Sequence, residues 1–371
     1  SANYVAQDFL TGMASIAAQG PYNNIAVPGA KLTDLKDPGF ALRNPFFTRI
    51  TTGVSLNDMA AAMDASFFTL WIGNNDVLGY ATRGGDGQGD PLTDAATFDA
   101  DYNTTVNALT ANGAKGVVAN IPYVTTIPYF TTVKWNALVL TADQANLFNS
   151  NPLLANYNAA MDNPALRPQI SEAEAESRKI SFSAGANGFL YLDNNLSTVM
   201  VPNPDTTSPT PFIPLPKYRL LKAGELLTLT VPGNEIKCKG LGSADLTDPM
   251  RPVLNPLTGN YVLDATEVQK IKDAIDAYNV TIKTIAQTNG LAFVDANARL
   301  QELASTGIVA DGINFSSALV TGGAFSLDGV HPSTRGYAII ANDFIDAINS
   351  TYSSNIPKVS VGSFSTIEVE Q

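Results

Sequence analysis

One loop near the end of the chain pairs an aspartate with the only histidine. The loop runs Ser326-Leu327-Asp328-Gly329-Val330-His331-Pro332. An aspartate at this distance before a histidine, in a loop that enters a helix, can bond the imidazole Nδ1. That bond fixes the tautomer and stabilises the imidazolium that forms when the histidine takes a proton. Pro332 suits the first position of a helix, where no N–H donor is needed. The alternative is a surface loop with a chance Asp–His pair.

A second polar segment follows a predicted buried strand. Residues 67–72 form a continuous apolar run, which is typical of a strand buried on both faces of a parallel sheet, and Gly73-Asn74-Asn75-Asp76 comes directly after it. Sites in open α/β sheets form outside the carboxyl ends of strands. A side-chain amide at that place can donate a hydrogen bond to a developing oxyanion. The alternative is a polar turn, because Asn and Asp are common turn residues.

A third segment is a predicted short strand over residues 24–27 that ends at Pro28-Gly29. A glycine there lets the backbone N–H approach a substrate oxygen closely. The alternative is a plain turn glycine. The order of the three segments, a glycine turn, then G-x-N-D, then D-x-x-H, is much more specific than any one of them alone.

In this order the segments resemble blocks II, III and V of the SGNH/GDSL ester hydrolases. The resemblance covers residues 1–122 and 264–350, and it implies that Gly29 and Asn75 form an oxyanion hole. It also implies that Asp328 and His331 are the aspartate and histidine of a catalytic triad, with His331 as general base and Asp328 orienting it. The spacing and the large central insertion resemble a branch found among gut-type Bacteroidetes, usually in cell-envelope proteins.

Two neighbours of Asn75 take lesser roles in this interpretation. Asn74 lies in the variable position of G-x-N-D and is the weaker candidate for an oxyanion donor. Asp76 is expected to brace the loop instead of reacting.

The family's first block, Gly-Asp/Asn-Ser, is absent from the sequence. The opening residues resemble the helix that lies shortly after that block, so the nucleophilic serine is expected upstream of residue 1. The missing segment would be a central strand in the family's parallel order 2-1-3-4-5, and without it two neighbouring strands would be left unpaired. The competing explanation is a truncated, inactive relative. Ser15, Ser55 and Ser66 are poor substitutes, because the first lies in a predicted helix and the others precede strands.

Helices and strands alternate at both ends of the chain. Helices are predicted over residues 3–19, 55–64, 93–112 and 265–288 and after Pro332, and further strands over residues 117–122 and 291–295. Asp264 and Glu267 form a predicted capping box. This alternation indicates βαβ units and a parallel sheet.

Residues 123–260 break the alternation. Proline and glycine are frequent there, and the one sharp strand signal is Glu225–Val231. We expect an insertion packed over the sheet and without a core of its own. The tail after Tyr352 has no helical period and is predicted to be an edge strand or a loose end.

Composition excludes several classes of function. The net charge of -12 argues against a nucleic-acid partner and a basic membrane-surface patch. No apolar run approaches the roughly 20 residues of a transmembrane helix. A single histidine excludes most zinc hydrolase sites. A single cysteine, Cys238, excludes an internal disulfide and is predicted to be a buried or half-buried thiol.

The sequence therefore predicts one α/β domain over residues 1–371, with three α/β/α layers, a five-stranded parallel sheet of flavodoxin-like order and an insertion at 123–260. The predicted activity is hydrolysis of a small-molecule ester, a lipid or an acylated glycan, without metal or organic cofactor. The resemblance implies a place in the cell envelope or outside the cell, as a periplasmic protein or an outer-membrane lipoprotein. The alternatives are a catalytically inactive binding protein of the same fold and a structural envelope protein.

Overall fold

The computed structural model describes residues 15–17, 20, 22–51, 53–85, 89–245 and 253–365. Most of the predicted helix over residues 3–19 lies outside these ranges. The chain divides into two compact units. The sheet unit comprises Ser1–Tyr80, Gln88–Pro128 and Lys270–Gln371, and the insertion unit comprises Ala81–Gly87 and Tyr129–Gln269.

The described residues contain twelve α-helices. In chain order they are α1 (Pro45–Ile50), α2 (Leu56–Ala62), α3 (Asn74–Thr82), α4 (Ala95–Thr110), α5 (Pro128–Thr131), α6 (Ala142–Asn149), α7 (Pro152–Asp162), α8 (Glu172–Arg178), α9 (Gly233–Lys239), α10 (Ala265–Thr288), α11 (Ala296–Ser305) and α12 (Thr334–Tyr352). The predicted helices at 55–64, 93–112 and 265–288 and the last helix are thereby confirmed.

Fifteen short strands occur in the same residues. They are β1 (Phe67–Leu70), β2 (Lys115–Ala119), β3 (Leu138–Leu140), β4 (Gly185–Asn187), β5 (Leu190–Leu192), β6 (Met200–Pro202), β7 (Phe212–Pro214), β8 (Tyr218–Leu220), β9 (Leu226–Leu227), β10 (Ser243–Asp245), β11 (Val253–Asn255), β12 (Val262–Leu263), β13 (Ala292–Val294), β14 (Ile308–Ala310) and β15 (Ile313–Phe315).

A parallel sheet forms the centre of the sheet unit. Its order is β1-β2-β13, with Phe67 opposite Lys115 and Ala292 opposite Val117. The inner strand β2 is buried except at its first residue, as expected for a strand that has a neighbour on each side. The α/β class and the parallel pairing are confirmed, and the sheet has three strands in the described residues instead of the predicted five.

Residues 24–27, predicted as a strand, are not one. They have no helical or strand assignment and join no sheet in the described chain. Strand β1 pairs with β2 on one side only, so its other edge carries no strand there either. A segment forms a strand when a neighbouring strand hydrogen-bonds with its backbone N–H and C=O groups. Within the described ranges no strand pairs with residues 24–27, so the predicted strand does not form there.

Helix α4 supplies much of the core beside the sheet. Phe98, Tyr102 and Val106 recur along one face and are buried. The Phe98 ring stacks on Tyr278 of α10 with centroids 4.1 Å apart. These apolar residues at helical spacing were the signal for this helix, and burial of that face is what stabilises it.

The capping box before α10 forms as predicted. The Asp264 N–H donates to Glu267 Oε2 at 2.8 Å, and the Glu267 N–H donates to Asp264 Oδ1 at 2.8 Å. Two N–H groups that the helix itself cannot satisfy are thereby paired.

The insertion unit has a hydrophobic core of its own, so the expectation that it lacks one is wrong. Buried residues from Leu138 to Val262 pack together in it. Of the predicted strand Glu225–Val231 only β9 forms, antiparallel to β12. Arg219 bonds both Asp193 and Glu225 at 2.6 Å, and all three side chains are buried. Cys238 is exposed, contrary to prediction, because α9 has no buried residue.

The turn after β1 requires glycine. Gly73 has φ +108°, and a Cβ there would lie 2.4 Å from Ile121 Cδ1 and 3.0 Å from Phe98 Cε2. Gly113 also has positive φ, +79°, but a Cβ on it would meet nothing within 4 Å. Comparing alanine substitutions at Gly73 and Gly113 therefore separates the cost of backbone strain from the cost of steric overlap.

We predict that Gly73→Ala lowers the free energy of unfolding by about 3 kcal/mol, because the new methyl group adds overlap to backbone strain. Gly113→Ala is the matched control and should cost about 1 kcal/mol from strain alone. Urea unfolding measures both. Equal losses in the two variants would contradict close packing behind this turn.

Candidate functional site

A cavity of about 530 Å³ lies in the sheet unit. It is bordered by Trp71 just after β1, Pro122 beyond β2 and Val294 at the end of β13, so it opens at the carboxyl ends of the three strands. This is the edge at which α/β folds place their sites.

Four of the residues singled out in the sequence line this cavity. They are Gly29, Asn74, Asn75 and His331. Asp328 does not line the cavity. Its Oδ2 lies 2.6 Å from the imidazole Nδ1 of His331, within hydrogen-bond distance. Segments separated by up to about 300 residues of chain are thus brought to one site.

Donors surround the Asp328 carboxylate. Oδ1 accepts the Ser326 hydroxyl at 2.6 Å and the N–H groups of Val330 and His331 at 2.9 and 3.0 Å. Burial raises the pKa of Asp328, but the bonds from Ser326 and His331 outweigh it and hold that pKa well below its ordinary value. An ionised carboxylate at Nδ1 is the partner that stabilises an imidazolium.

Backbone hydrogen bonds join the two ends of the loop that carries this pair. The Ser326 N–H donates to the His331 carbonyl at 2.8 Å, and the Ser333 N–H donates to the Ala324 carbonyl at 2.9 Å. The Ser333 side chain caps α12 by accepting from the Gly336 N–H at 3.1 Å. Pro332 is predicted from the sequence to be the first residue of this helix, but it lies before the cap. The Ser333 hydroxyl sets where the helix begins.

Gly29 has φ +77°, in the left-handed region that favours glycine. Asn44 secures it, because its Nδ2 donates to the Pro28 carbonyl at 2.8 Å. The same side chain caps α1 through Oδ1, which accepts from Phe46 and Phe47. One asparagine thus ties the turn to a helix.

Asn75 is tied to the same turn. Its Nδ2 donates to the carbonyl of Ala30, the residue after Gly29, at 2.9 Å. A primary amide has two N–H donors, so this bond leaves a second one for a ligand in the cavity. The bond also sets Asn75 relative to Gly29.

Asp76 braces the loop that follows the glycine turn. Its Oδ2 accepts the Leu32 N–H at 2.9 Å, and its Oδ1 accepts the Thr93 hydroxyl at 2.6 Å. The side chain is fully buried. Burial raises its pKa to about 6, although the bonds from Thr93 and Leu32 and the charge of Lys31 oppose the rise.

A buried amide behind the cavity joins the strand ends, and sequence reasoning missed it. Asn120 Nδ2 donates to Asp295 Oδ1 at 2.8 Å, and its Oδ1 accepts the Asn297 N–H at 2.8 Å. Its carbonyl accepts the Trp71 indole N–H at 3.1 Å. The available signal was a polar residue inside the apolar run 117–122.

The cavity lining contains a second feature that the sequence did not reveal. Arg299 of α11 and Asp343 of α12 both line it, and Arg299 Nε donates to Asp343 Oδ2 at 3.1 Å. Arg299 Nη1 also donates to Glu302 at 2.7 Å. No motif spacing links these residues, so only the packing of the two helices brings them together.

None of the described residues that line the cavity is serine, threonine or cysteine. Ser15 bonds the Arg49 carbonyl, Ser55 caps α2 and bonds Asp58, and Ser66 precedes β1. None of these three lines the cavity.

The described residues contain no group of three or more His, Cys, Asp or Glu side chains that could hold a metal ion. Within the same residues, no helix is both long and apolar enough to cross a bilayer.

We predict that Asp76→Asn flattens part of the pH dependence of stability. The folded-state pKa of about 6 lies above the usual 3.8, so between these values the unfolded chain loses a proton that the folded chain keeps. Stability therefore falls as pH rises from about 4 to about 6, by about 3 kcal/mol, and levels above that. Urea unfolding across this range should show the decline in the parent and not in Asp76→Asn. Parallel curves would contradict it.

A scan against protein-family models finds no match to this chain. Searches of the curated proteins and of the solved structures find no match either. The family resemblance therefore rests on the sequence motifs alone.

Proposed function

We propose that the protein is a serine ester hydrolase of the SGNH/GDSL type, with the cavity as its active site. One observation carries the proposal: Gly29, Asn75 and His331, from three distant segments, border one cavity, and Asp328 bonds His331. A base with an oriented imidazole beside two oxyanion donors is the arrangement that acyl transfer needs.

The mechanism follows from these roles. A serine hydroxyl attacks the acyl carbonyl while His331 takes its proton, and Asp328 stabilises the imidazolium. The Gly29 N–H and the free Asn75 N–H hold the oxyanion. His331 then gives the proton to the leaving alcohol. Water releases the acid by the same steps, with His331 again as base.

The serine is the part that the cavity lining does not supply. The resemblance places it in a Gly-Asp/Asn-Ser segment upstream of residue 1. In the family's strand order such a segment would lie between residues 24–27 and the open edge of β1, and Val27 and Trp71 both border the cavity. Adding it would produce five strands in the order 2-1-3-4-5 and would pair both segments that have no strand beside them in the described chain.

The proposed substrate is a small-molecule ester, a lipid or an acylated glycan, encountered in the cell envelope or outside the cell. The chemistry uses only side chains and backbone N–H groups, so the proposal includes no metal and no organic cofactor.

A second candidate is a non-catalytic binding protein that keeps the same site. The observation in its favour is the lack of a serine, threonine or cysteine among the described lining residues. It predicts binding in the cavity without turnover.

We predict that the full-length protein hydrolyses short p-nitrophenyl esters and that Asn75→Ala lowers kcat about 100- to 1,000-fold, because one oxyanion donor is lost. Asn74→Ala is the matched control, since it lines the same cavity, and should change kcat less than about tenfold. His331→Ala should abolish the hydrolysis that the enzyme catalyses with His331 as general base. Equal activity in the parent and His331→Ala would remove the proposal.

A fluorophosphonate probe distinguishes the two candidates. The esterase is labelled at one serine, and the labelling is slowed in His331→Ala because the base is missing. A binding protein is not labelled even when it is folded and intact. Peptide mapping of the labelled protein identifies the serine, and labelling within residues 1–371 would contradict the upstream position.

A further inference from the structure

The described part of the tail after α12, residues 353–365, is neither an edge strand nor a loose end. Ser353 takes a left-handed conformation, φ +52°, and the chain reverses there. Residues 353–365, which we call the strap, then run back along α12. Ile356 bonds Asn349, Val359 bonds Asn342, and further on the strap bonds the first turn of the helix.

A ladder of side chains on α12 holds the strap by its backbone. Asn342 donates to the Val359 carbonyl and accepts from the Val359 N–H, both at 2.9 Å. Asn349 does the same for Ile356, at 2.9 and 2.8 Å. These two asparagines and Arg335 are spaced at seven residues, which places them on one face of a helix. The amides satisfy strap groups that a neighbouring strand would otherwise pair.

The strap is also anchored away from α12. Asp311, in the turn between β14 and β15, accepts the Ser360 hydroxyl and the Gly362 N–H, both at 3.1 Å. Val361 between them is buried. The strap therefore joins the β14–β15 turn to helix α12.

The far end of the strap reaches the start of α12, close to His331 in sequence. Arg335 Nε donates to the Phe364 carbonyl at 2.6 Å, and the Thr334 hydroxyl donates to the Ser365 carbonyl. On the other side, β15 leads to Ser316, whose N–H donates to the Gly322 carbonyl at 3.0 Å. The loop 316–333 is thus held at one end by the hairpin and at the other by the helix.

We propose that the strap is a positioning element for His331. By joining the β14–β15 turn to the first turn of α12, it holds both ends of the loop that carries Asp328 and His331. Its effect on catalysis rests on the proposed function, whereas its effect on loop order does not.

The test is hydrogen exchange by mass spectrometry on the full-length double variant Asn342→Ala/Asn349→Ala. Alanine is a good helix former, so α12 should persist. We expect exchange to rise about tenfold or more in residues 355–364, since the four bonds to Ile356 and Val359 are lost, and several-fold in residues 326–333. Exchange within α4 should not change.

Lys358→Ala is the matched control, because it removes only the exposed ion pair with Asp346 and should leave both segments protected. Asn342→Asp keeps the acceptor for the Val359 N–H and should give an intermediate effect. Should the double variant lose its helix content, this milder variant provides the test. Faster exchange in the strap with unchanged protection of residues 326–333 would overturn the proposal.

Kinetics supply a separate readout. In the p-nitrophenyl ester assay the double variant should lose kcat with little change in KM, because the base is misplaced while the cavity remains. Retained kcat together with a loosened loop would overturn the positioning role. If the parent shows no hydrolysis, the proposed function fails, and the exchange experiment still decides whether the strap orders the loop.

Discussion

The parallel pairing of β1, β2 and β13 is the constraint on which the site depends. Strands that run the same way end at the same edge, so the turns that follow β1 and β13 and the segment after β2 meet there. Asn120 holds these segments together. Its side chain bonds Asp295 and Asn297, and its backbone carbonyl accepts the Trp71 indole N–H. With the edge fixed in this way, the Gly29 turn and the His331 loop border one cavity.

Two aspartates at this site have opposite electrostatic environments. Asp328 is partly exposed and accepts three hydrogen bonds on one oxygen and the imidazole on the other, so its pKa lies well below the ordinary value. Asp76 is fully buried, and burial raises its pKa to about 6. The first is suited to face a developing imidazolium. The second holds Leu32 and Thr93 in place.

An open sheet edge is the main irregularity of the sheet unit. Strand β1 has an edge without a strand in the described chain, and residues 24–27 have the composition of a strand but pair with no strand in the same residues. The strap shows another way to satisfy extended backbone, because Asn342 and Asn349 bond it from a helix. One extended segment is therefore fastened by side chains, while the other borders the cavity.

Local pattern in the sequence determined α2, α4, α10 and the strands of the sheet, because helical or continuous apolar periodicity is a property of neighbouring residues. It also determined the glycine turn, the Asp264 capping box and the Asp328–His331 bond, whose partners lie within a few residues. Tertiary structure alone decided what depends on distant partners: the absent strand at 24–27, the separate core of the insertion unit, the Arg299–Asp343 pair and the strap. These features depend on contacts between distant segments, and the local composition of one segment does not show which other segment it will pack against.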